Sequence, residues 1–87
     1  MQINISNIKS PDILIALQDV FNETGITSGD AGRKLYLEKQ EKGLSIEIKE
    51  DKVIIKYARR CEIFRAIGLL KENYDSNEFN LTEITRY

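Results

Sequence analysis

The 87-residue sequence has no histidine and only one cysteine, Cys61. Histidine is the usual proton shuttle and the commonest metal ligand, so its absence excludes Ser-His and Cys-His catalysis and most zinc sites. A single cysteine cannot form an internal disulfide bond, and no oxidising compartment is indicated. Cys61 follows two arginines near a predicted helix start, where a thiol can become reactive. Because the sequence offers no histidine base and no second cysteine, a structural role is favoured.

Long apolar runs are also absent. No segment approaches the roughly 20 apolar residues of a membrane-spanning helix, and the N-terminus lacks the basic and apolar regions of a signal peptide. The chain therefore predicts a cytoplasmic protein with no membrane partner, unless a signal lies outside these residues. Thirteen basic and fourteen acidic residues give a net charge of −1. This balance weighs against nucleic acid as a partner, because domains that bind phosphate backbones are usually basic.

What is present is a succession of short strand and helix patterns in a chain long enough for one domain, residues 1–87. Alternation at Ile3 and Ile5 predicts a first strand. A helix is predicted to begin at Ser10-Pro11-Asp12, where Ser can cap, Pro suits the first turn and Asp complements the helix dipole. It is predicted to end at Gly25.

The second half predicts three strands and a second helix. Leu35 and Leu37 mark the first of these strands, and "LSIEIK" and "VIIKY" form the next two. If Glu50-Asp51 is a two-residue hairpin turn, three pairs face each other on one side of the sheet: Ile48 with Val53, Ile46 with Ile55, and Leu44 with Tyr57. The second helix is predicted from about Arg60 to Asn73.

The predicted fold class is therefore α+β, with the order β-α-β-β-β-α. An antiparallel sheet of about four strands with two helices packed on one face fits this order. The final "SNEFNLTEITRY" alternates weakly, so it either extends the sheet or leads elsewhere. In each predicted helical pattern the apolar residues share one face at helical spacing: Ile13, Leu14, Leu17, Val20 and Phe21 in the first, and Ile63, Phe64, Ala66, Ile67, Leu70 and Tyr74 in the second.

Two apolar residues do not fit the buried stripe of their own helix. Ile15 lies roughly opposite the stripe of the first helix, and Leu69 lies beside the charged residues of the second. Single exposed apolar residues are common. One on each helix suggests that both helices carry a second, outward contact surface.

The polar motifs have plain structural interpretations. Gly29-Asp30-Ala31-Gly32, followed by Arg33-Lys34, is similar to the Gly-x-x-Gly clamp of KH domains, but it leads into a strand, and a flexible connection is favoured. Arg59, Arg60 and Arg65 suggest a basic patch, which Glu62 interrupts, so a solvated helix face is favoured.

The acidic pairs are weak candidates for catalysis. A carboxylate pair held across a cleft can hydrolyse a glycosidic bond. Glu50-Asp51 falls in a predicted turn, however, and Asp75 and Glu78 fall in the polar tail, where solvation is the usual role. The sequence thus predicts no catalytic, cofactor-binding or metal-binding residue in this segment.

One stretch carries a family resemblance. "GLSIEIKEDKVIIKYARRCEIFRAIGLL", residues 43–70, resembles the small N-terminal domain that precedes the catalytic barrel in family 20 glycoside hydrolases, the β-N-acetylhexosaminidases. That domain has two strands followed by a helix opening of the type Gly-Leu-Phe-Tyr-Gly-Leu-x-Thr-Leu. The matching apolar positions are Ile63, Phe64, Ile67 and Leu70, and Ala66 keeps a small residue. Glu62 and Leu69 depart from the pattern. The likeness over residues 1–42 is in topology only.

The resemblance implies a non-catalytic accessory domain that braces its own (β/α)8 barrel. The parent enzyme would remove terminal β-linked N-acetylhexosamine by substrate-assisted catalysis, with the Asp-Glu pair supplied by the barrel. "LTEITRY" looks like the approach to that barrel, which is absent here. Ile15 and Leu69 become candidate barrel-docking residues, and self-association of the domain alone is possible. The alternatives are a stand-alone protein-interaction module and a small nucleic-acid-binding domain.

Overall fold

The structure, a computed structural model, describes residues 2–75, 78–79 and 83–86. Within them two helices and eight strands follow one another along the chain. Their bounds are β1 Gln2–Asn4, α1 Pro11–Thr24, β2 Thr27–Ser28, β3 Arg33–Lys39, β4 Leu44–Ile48, β5 Lys52–Tyr57, α2 Cys61–Glu72, β6 Tyr74–Asp75, β7 Glu78–Phe79 and β8 Glu83–Arg86. The predicted α+β class with two helices is confirmed.

The main sheet is mixed. In the described part of the chain it has six strands in the order β2-β1-β3-β5-β4-β8. β1 runs parallel to both β2 and β3, and β3 runs parallel to β5. β4 is antiparallel to β5 and to β8, so the tail does extend the sheet. β6 and β7 form a separate two-stranded ribbon.

The expectation of about four antiparallel strands is therefore wrong in both strand number and direction. α1 carries the chain from β1 to its neighbour β3, and a helical crossover of this kind joins parallel strands. β5 then inserts between β3 and β4. Residues 40–43 cross the end of β5, where the Gln40 N–H donates to the Tyr57 carbonyl (2.7 Å) and the Ala58 N–H donates to the Gly43 carbonyl (3.1 Å).

The predicted hairpin register is confirmed. Lys49 donates its N–H to the Lys52 carbonyl over 2.8 Å and closes the Glu50-Asp51 loop. The three predicted pairs then face each other: Ile48 with Val53, Ile46 with Ile55, and Leu44 with Tyr57. A one-residue slip would turn every one of these side chains to the other face, so the alternation together with the two-residue turn determines the register.

Both helices begin and end close to the residues that the sequence predicts. Pro11 stands in the first turn of α1, and Gly25 ends the helix with φ 82° while its N–H donates to the Phe21 carbonyl over 2.9 Å. Ser10 occupies the N-cap position without a side-chain bond to the backbone. Its hydroxyl bonds the Asp12 carboxylate instead. α2 spans Cys61–Glu72, within a residue of the predicted bounds.

Both helices cover the same face of the sheet and complete one core. That core joins β1, β3, β4 and β5 to the helices through these buried residues: Ile3, Ile8, Ile13, Leu17, Phe21, Ile26, Leu35, Leu44, Ile46, Ile48, Val53, Ile55, Ile63, Ala66, Ile67 and Leu70. Ile54 points to the opposite face, where it lies in register between Tyr36 and Glu47. It is nonetheless buried.

Two ion pairs join the helices. Near their first turns Arg60 binds Asp12 over 2.7 Å, and near their last turns Lys71 binds Glu23. Each pair joins residues 48 positions apart. α1 and α2 therefore lie side by side and run in the same direction, as expected for helices that each follow one of the parallel strands β1 and β5.

Within the described residues, neither helix has the length and hydrophobicity to cross a membrane.

Candidate functional site on the outer face of the helices

The surface of α1 and α2 that points away from the sheet is here named the outer helix face. Helical spacing places five residues on it, namely Ile15, Asn22, Cys61, Arg65 and Gly68. Ile15 is 64% exposed and is the one exposed large hydrophobic side chain among the described residues. Its predicted position opposite the buried stripe is confirmed.

Leu69 is placed differently from the expectation. It is half-buried and packs against the edge of the core, while its carbonyl accepts hydrogen bonds from the backbone and side chain of Asn73. Its helical angle points to the flank of α2 that faces away from α1, and the sheet continues below that flank through β4 and β8. Ile15 and Leu69 therefore do not form one exposed apolar pair.

The two helix N-termini are held together by a polar cluster. Arg60 Nη2 donates to Ser10 Oγ and to Asp12 Oδ1, each over 2.7 Å. The Ser10 hydroxyl donates to the same Asp12 oxygen, and the Arg60 guanidinium lies 5.7 Å from the centre of the Phe64 ring. The bonds from Arg60 and Ser10 hold the pKa of Asp12 far below its usual range, and Asp12 raises the pKa of Arg60. Arg60 thus serves helix packing.

The Glu62 side chain bonds the backbone just before α2, whose N-cap position is occupied by Arg60. Its Oε1 accepts hydrogen bonds from the backbone N–H groups of Arg59 (2.6 Å) and Ala58 (2.8 Å). These bonds lower the pKa of its carboxyl, with the Arg59 N–H as the largest cause. A glutamate that reaches back three residues to a free N–H is half of a capping box. The sequence contains this signal, since Glu62 stands just inside the predicted helix start, although its charge there also interrupts the basic patch.

Cys61 is exposed in the first turn of α2. Arg59 and Arg65 are also exposed. Over residues 2–75, 78–79 and 83–86 no group of three or more His, Cys, Asp or Glu side chains is placed to hold a metal ion. The residues on either side of Cys61, Arg60 and Glu62, make the interhelical and backbone hydrogen bonds described above.

The Gly29–Gly32 segment is a tight turn between β2 and β3. Gly29 donates its N–H to the Ile3 carbonyl, and Gly32 donates to the Gly29 carbonyl, both over 3.2 Å. A Cβ at Gly32 would overlap the Gln2 carbonyl, so this glycine is required by the close approach of two backbones. Two of the four amides that a phosphate clamp would use are already bonded, which argues against the nucleic-acid alternative.

The acidic pairs lie apart from each other in sequence and fold. Glu50 and Asp51 are exposed at the tip of the β4–β5 hairpin. They border an open depression of about 580 Å³ that Gln2, Gly32 and Arg33 also line. Asp75 and Glu78 are backbone partners in the register of the β6–β7 ribbon.

Comparison with known proteins adds no relative. No protein family matches the sequence, and neither the curated proteins nor the solved structures contain a match. Of the "LTEITRY" segment, residues 81–82 and 87 lie outside the described residues, and Glu83–Arg86 form β8.

Proposed function

We propose that residues 1–87 form a non-catalytic domain of a family 20-like glycoside hydrolase and dock through the outer helix face onto its catalytic barrel. The observation that carries the docking part is Ile15, which is 64% exposed on the face of α1 opposite the core. The glycosidase identity depends on the resemblance over residues 43–70. The barrel, not this domain, would hydrolyse terminal β-N-acetylhexosamine.

The β4–β5 hairpin and α2, which carry the family resemblance, pack together as one unit, and this supports the proposal. Ile46 and Ile55 pair across the hairpin, and both have no exposed surface. Ile63 and Ala66 of α2 belong to the same buried cluster. The residues that carry the family resemblance are thus packing residues, which is what a bracing domain requires. The parallel pairing of β1, β3 and β5 departs from the antiparallel sheet that the resemblance implies, so the sheet topology lends the proposal no support.

Gly68 gives a second reason to regard the outer helix face as a contact surface. It lies within α2, and a Cβ placed on it would meet no other atom within 4 Å. Glycine inside a helix costs about 0.5–1 kcal/mol relative to alanine. Within the described residues, no neighbouring group approaches Gly68 closely enough to require a glycine there. A partner that packs closely against the helix backbone at this point would explain it.

Activity measurements test whether the barrel, and not residues 1–87, carries the hydrolytic activity. The 87-residue protein should not hydrolyse a chromogenic N-acetylglucosaminide, whereas the protein encoded by the complete gene should. The gene should continue beyond Tyr87 into a barrel of alternating strands and helices. A gene that stops at Tyr87, or turnover by the pure domain, would refute the assignment.

The docking surface is tested in the complete protein. Ile15→Asp should lower the unfolding temperature of the barrel or separate one cooperative transition into two, because it puts a charge into a desolvated contact. Thr27→Asp, which adds the same charge at an exposed residue of β2, is the matched control and should leave the transition unchanged. Equal effects of the two substitutions would exclude this face as the interface.

The stand-alone interaction module remains the rival function. It predicts that the outer helix face binds a separate protein and that the gene ends near Tyr87. Self-association of the 87-residue protein does not separate the two, because an exposed docking face can also pair with itself. The gene's continuation separates them.

A further inference from the structure

β3 is longer than its neighbour β1. β1 has three residues, and its last pairing joins Asn4 to Lys34. β3 continues to Lys39 and is paired with β5 along that whole length. In the described part of the chain no strand therefore lies beside the second half of β3 on its β1 side.

The backbone groups that face this open edge follow from two hydrogen bonds. Lys34 and Gln40 donate their N–H groups toward β5, to the carbonyls of Asp51 (3.1 Å) and Tyr57 (2.7 Å). Alternate residues of a strand direct their backbone groups to opposite edges. Leu37 and Lys39 therefore direct their N–H and C=O groups to the edge that β1 does not reach.

A groove lies along this edge. It measures about 390 Å³ and is lined by Ser6 to Ser10, Ile13, Tyr36 and Leu37. The chain leaves β1 in a turn, in which the Ser6 N–H donates to Asn4 Oδ1 (2.9 Å) and the Ile8 N–H donates to the Ile5 carbonyl (3.0 Å). That turn carries the loop away from β3 and forms the opposite wall of the groove.

The chemistry of the groove is that of a strand-addition site. Ile8, Ile13 and Leu37 supply apolar lining, and the edge of β3 supplies the donors and acceptors of a sheet ladder. Lys9 lines the groove, and Lys39 is exposed at the end of β3 on the same face as Leu37. The exposed Glu38 lies on the opposite face of the strand, so the charges beside the apolar lining are basic. Extended peptides that join a sheet edge gain affinity from main-chain hydrogen bonds and specificity from pockets for alternate side chains.

We propose that the groove between β3 and the β1–α1 loop binds an extended peptide of a partner protein as an additional strand. The peptide places one apolar side chain against Ile8, Ile13 and Leu37 and carries acidic residues beside it. The site lies at the sheet edge and is separate from the outer helix face, so it is independent of the glycosidase proposal.

The experiment begins with a library of random heptapeptides displayed on phage and panned on the domain. The selected peptide, made synthetically, is titrated into ¹⁵N-labelled protein. Selected sequences should alternate apolar and polar residues and contain Asp or Glu. Binding should slow hydrogen exchange at the amides of Leu37 and Lys39, while those of Thr27 and Ser28 in β2, which lies beyond β1, stay unchanged.

Two substitutions at one residue separate backbone from side chain. Lys39→Pro removes the edge N–H and leaves the ladder to β5 intact, because the Lys39 N–H points away from β5. It should weaken binding about tenfold, the equivalent of one hydrogen bond. Lys39→Ala retains the N–H and should weaken peptide binding less than Lys39→Pro does. If Lys39→Pro does not fold, Lys9→Glu supplies the test and should weaken binding of the acidic peptide.

Three results would overturn the proposal. The first is failure to select any peptide. The second is a peptide whose binding protects other amides or is insensitive to both Lys39→Pro and Lys9→Glu. The third is concentration-dependent protection of Leu37 and Lys39 without peptide, accompanied by dimerisation, which would assign the edge to a second copy of the chain.

Discussion

The role of a single residue in this protein follows from the groups that it contacts directly. Gly32 is needed because the Gln2 backbone occupies the space of a Cβ, whereas Gly68 has open space around the same position. Arg60 and Glu62 are two positions apart in sequence, yet one binds across to α1 and the other caps its own helix. Neither the residue type nor the position in the sequence therefore determines the role of a residue here.

The two glycines should respond in opposite ways to alanine. Gly68→Ala should stabilise the isolated domain by about 0.5–1 kcal/mol, because alanine loses less conformational entropy in a helix. Gly32→Ala should destabilise it by more than about 1 kcal/mol, because backbone must shift. Urea unfolding of both variants measures these values. In the complete protein Gly68→Ala should instead weaken domain docking, and stabilisation there of the same size as in the isolated domain would count against a close partner at Gly68.

The cluster at the helix N-termini should impose a pH dependence on stability. The pKa of Asp12 is lowered in the folded protein by Arg60 and Ser10, so its contribution is fully present above the unfolded value of about 3.9. That contribution is lost as the pH falls through the lower, folded value. The difference in unfolding free energy between wild type and Asp12→Asn should therefore be constant above about pH 5 and shrink progressively below about pH 4.

Urea unfolding between pH 7 and pH 2.5 measures that difference. Asp19→Asn removes the same charge from an exposed position of α1 and is the control, with a smaller difference expected at pH 7. A gap for Asp12→Asn that keeps its full size at pH 2.5, or that matches the control, would contradict a role of Asp12 in joining the helices.

Elements could be predicted well where the information is local. Alternation in β4 and β5 determined which face each residue occupies and, with the turn, which residues pair. Pro11 and Gly25 determined the ends of α1. Strand order could not be predicted in this way, because the placement of β5 between β3 and β4 depends on contacts far apart in sequence. β2, with only two residues, has no detectable period.

Adjacent residues of β5 test the two faces of the sheet. Ile55 has no exposed surface and belongs to the core under the helices, whereas Ile54 lies on the other face outside that cluster. Ile55→Ala should destabilise the domain by about 2–5 kcal/mol, and Ile54→Ala should cost clearly less. Equal losses in chemical denaturation would mean that the face opposite the helices is packed as tightly as the core.

At the scale of the whole molecule, the candidate surfaces are the part that the sequence showed least clearly. Ile15 is visible in the sequence as a misfit in its helix. The outward position predicted for Leu69 is wrong, because a helical projection contains no information on how far the sheet extends below α2. The groove beside β3 had no signal at all, since it arises from the unequal lengths of two strands that α1 separates in the chain.

The last strand should matter for the solution behaviour of the domain. β8 pairs with β4 along Leu44 to Glu47, so removal of residues 76–87 leaves the edge of β4 open. Exposed strand edges promote pairing between chains. The shortened protein should be less stable to urea and should dimerise or aggregate in size-exclusion chromatography. A monomer of unchanged stability would show that β8 contributes little to the sheet.

The equal spacing of the two ion pairs between the helices has a consequence for how this sequence can vary. Arg60 with Asp12, and Lys71 with Glu23, both span 48 positions. One residue inserted into either helix turns everything beyond it by about 100° and shifts it by about 1.5 Å. One of the two pairs would then be lost unless the other helix gained a residue as well. The lengths of the two helices should therefore be inherited together, and descendants of this chain should tolerate insertions in the loops but not in one helix alone.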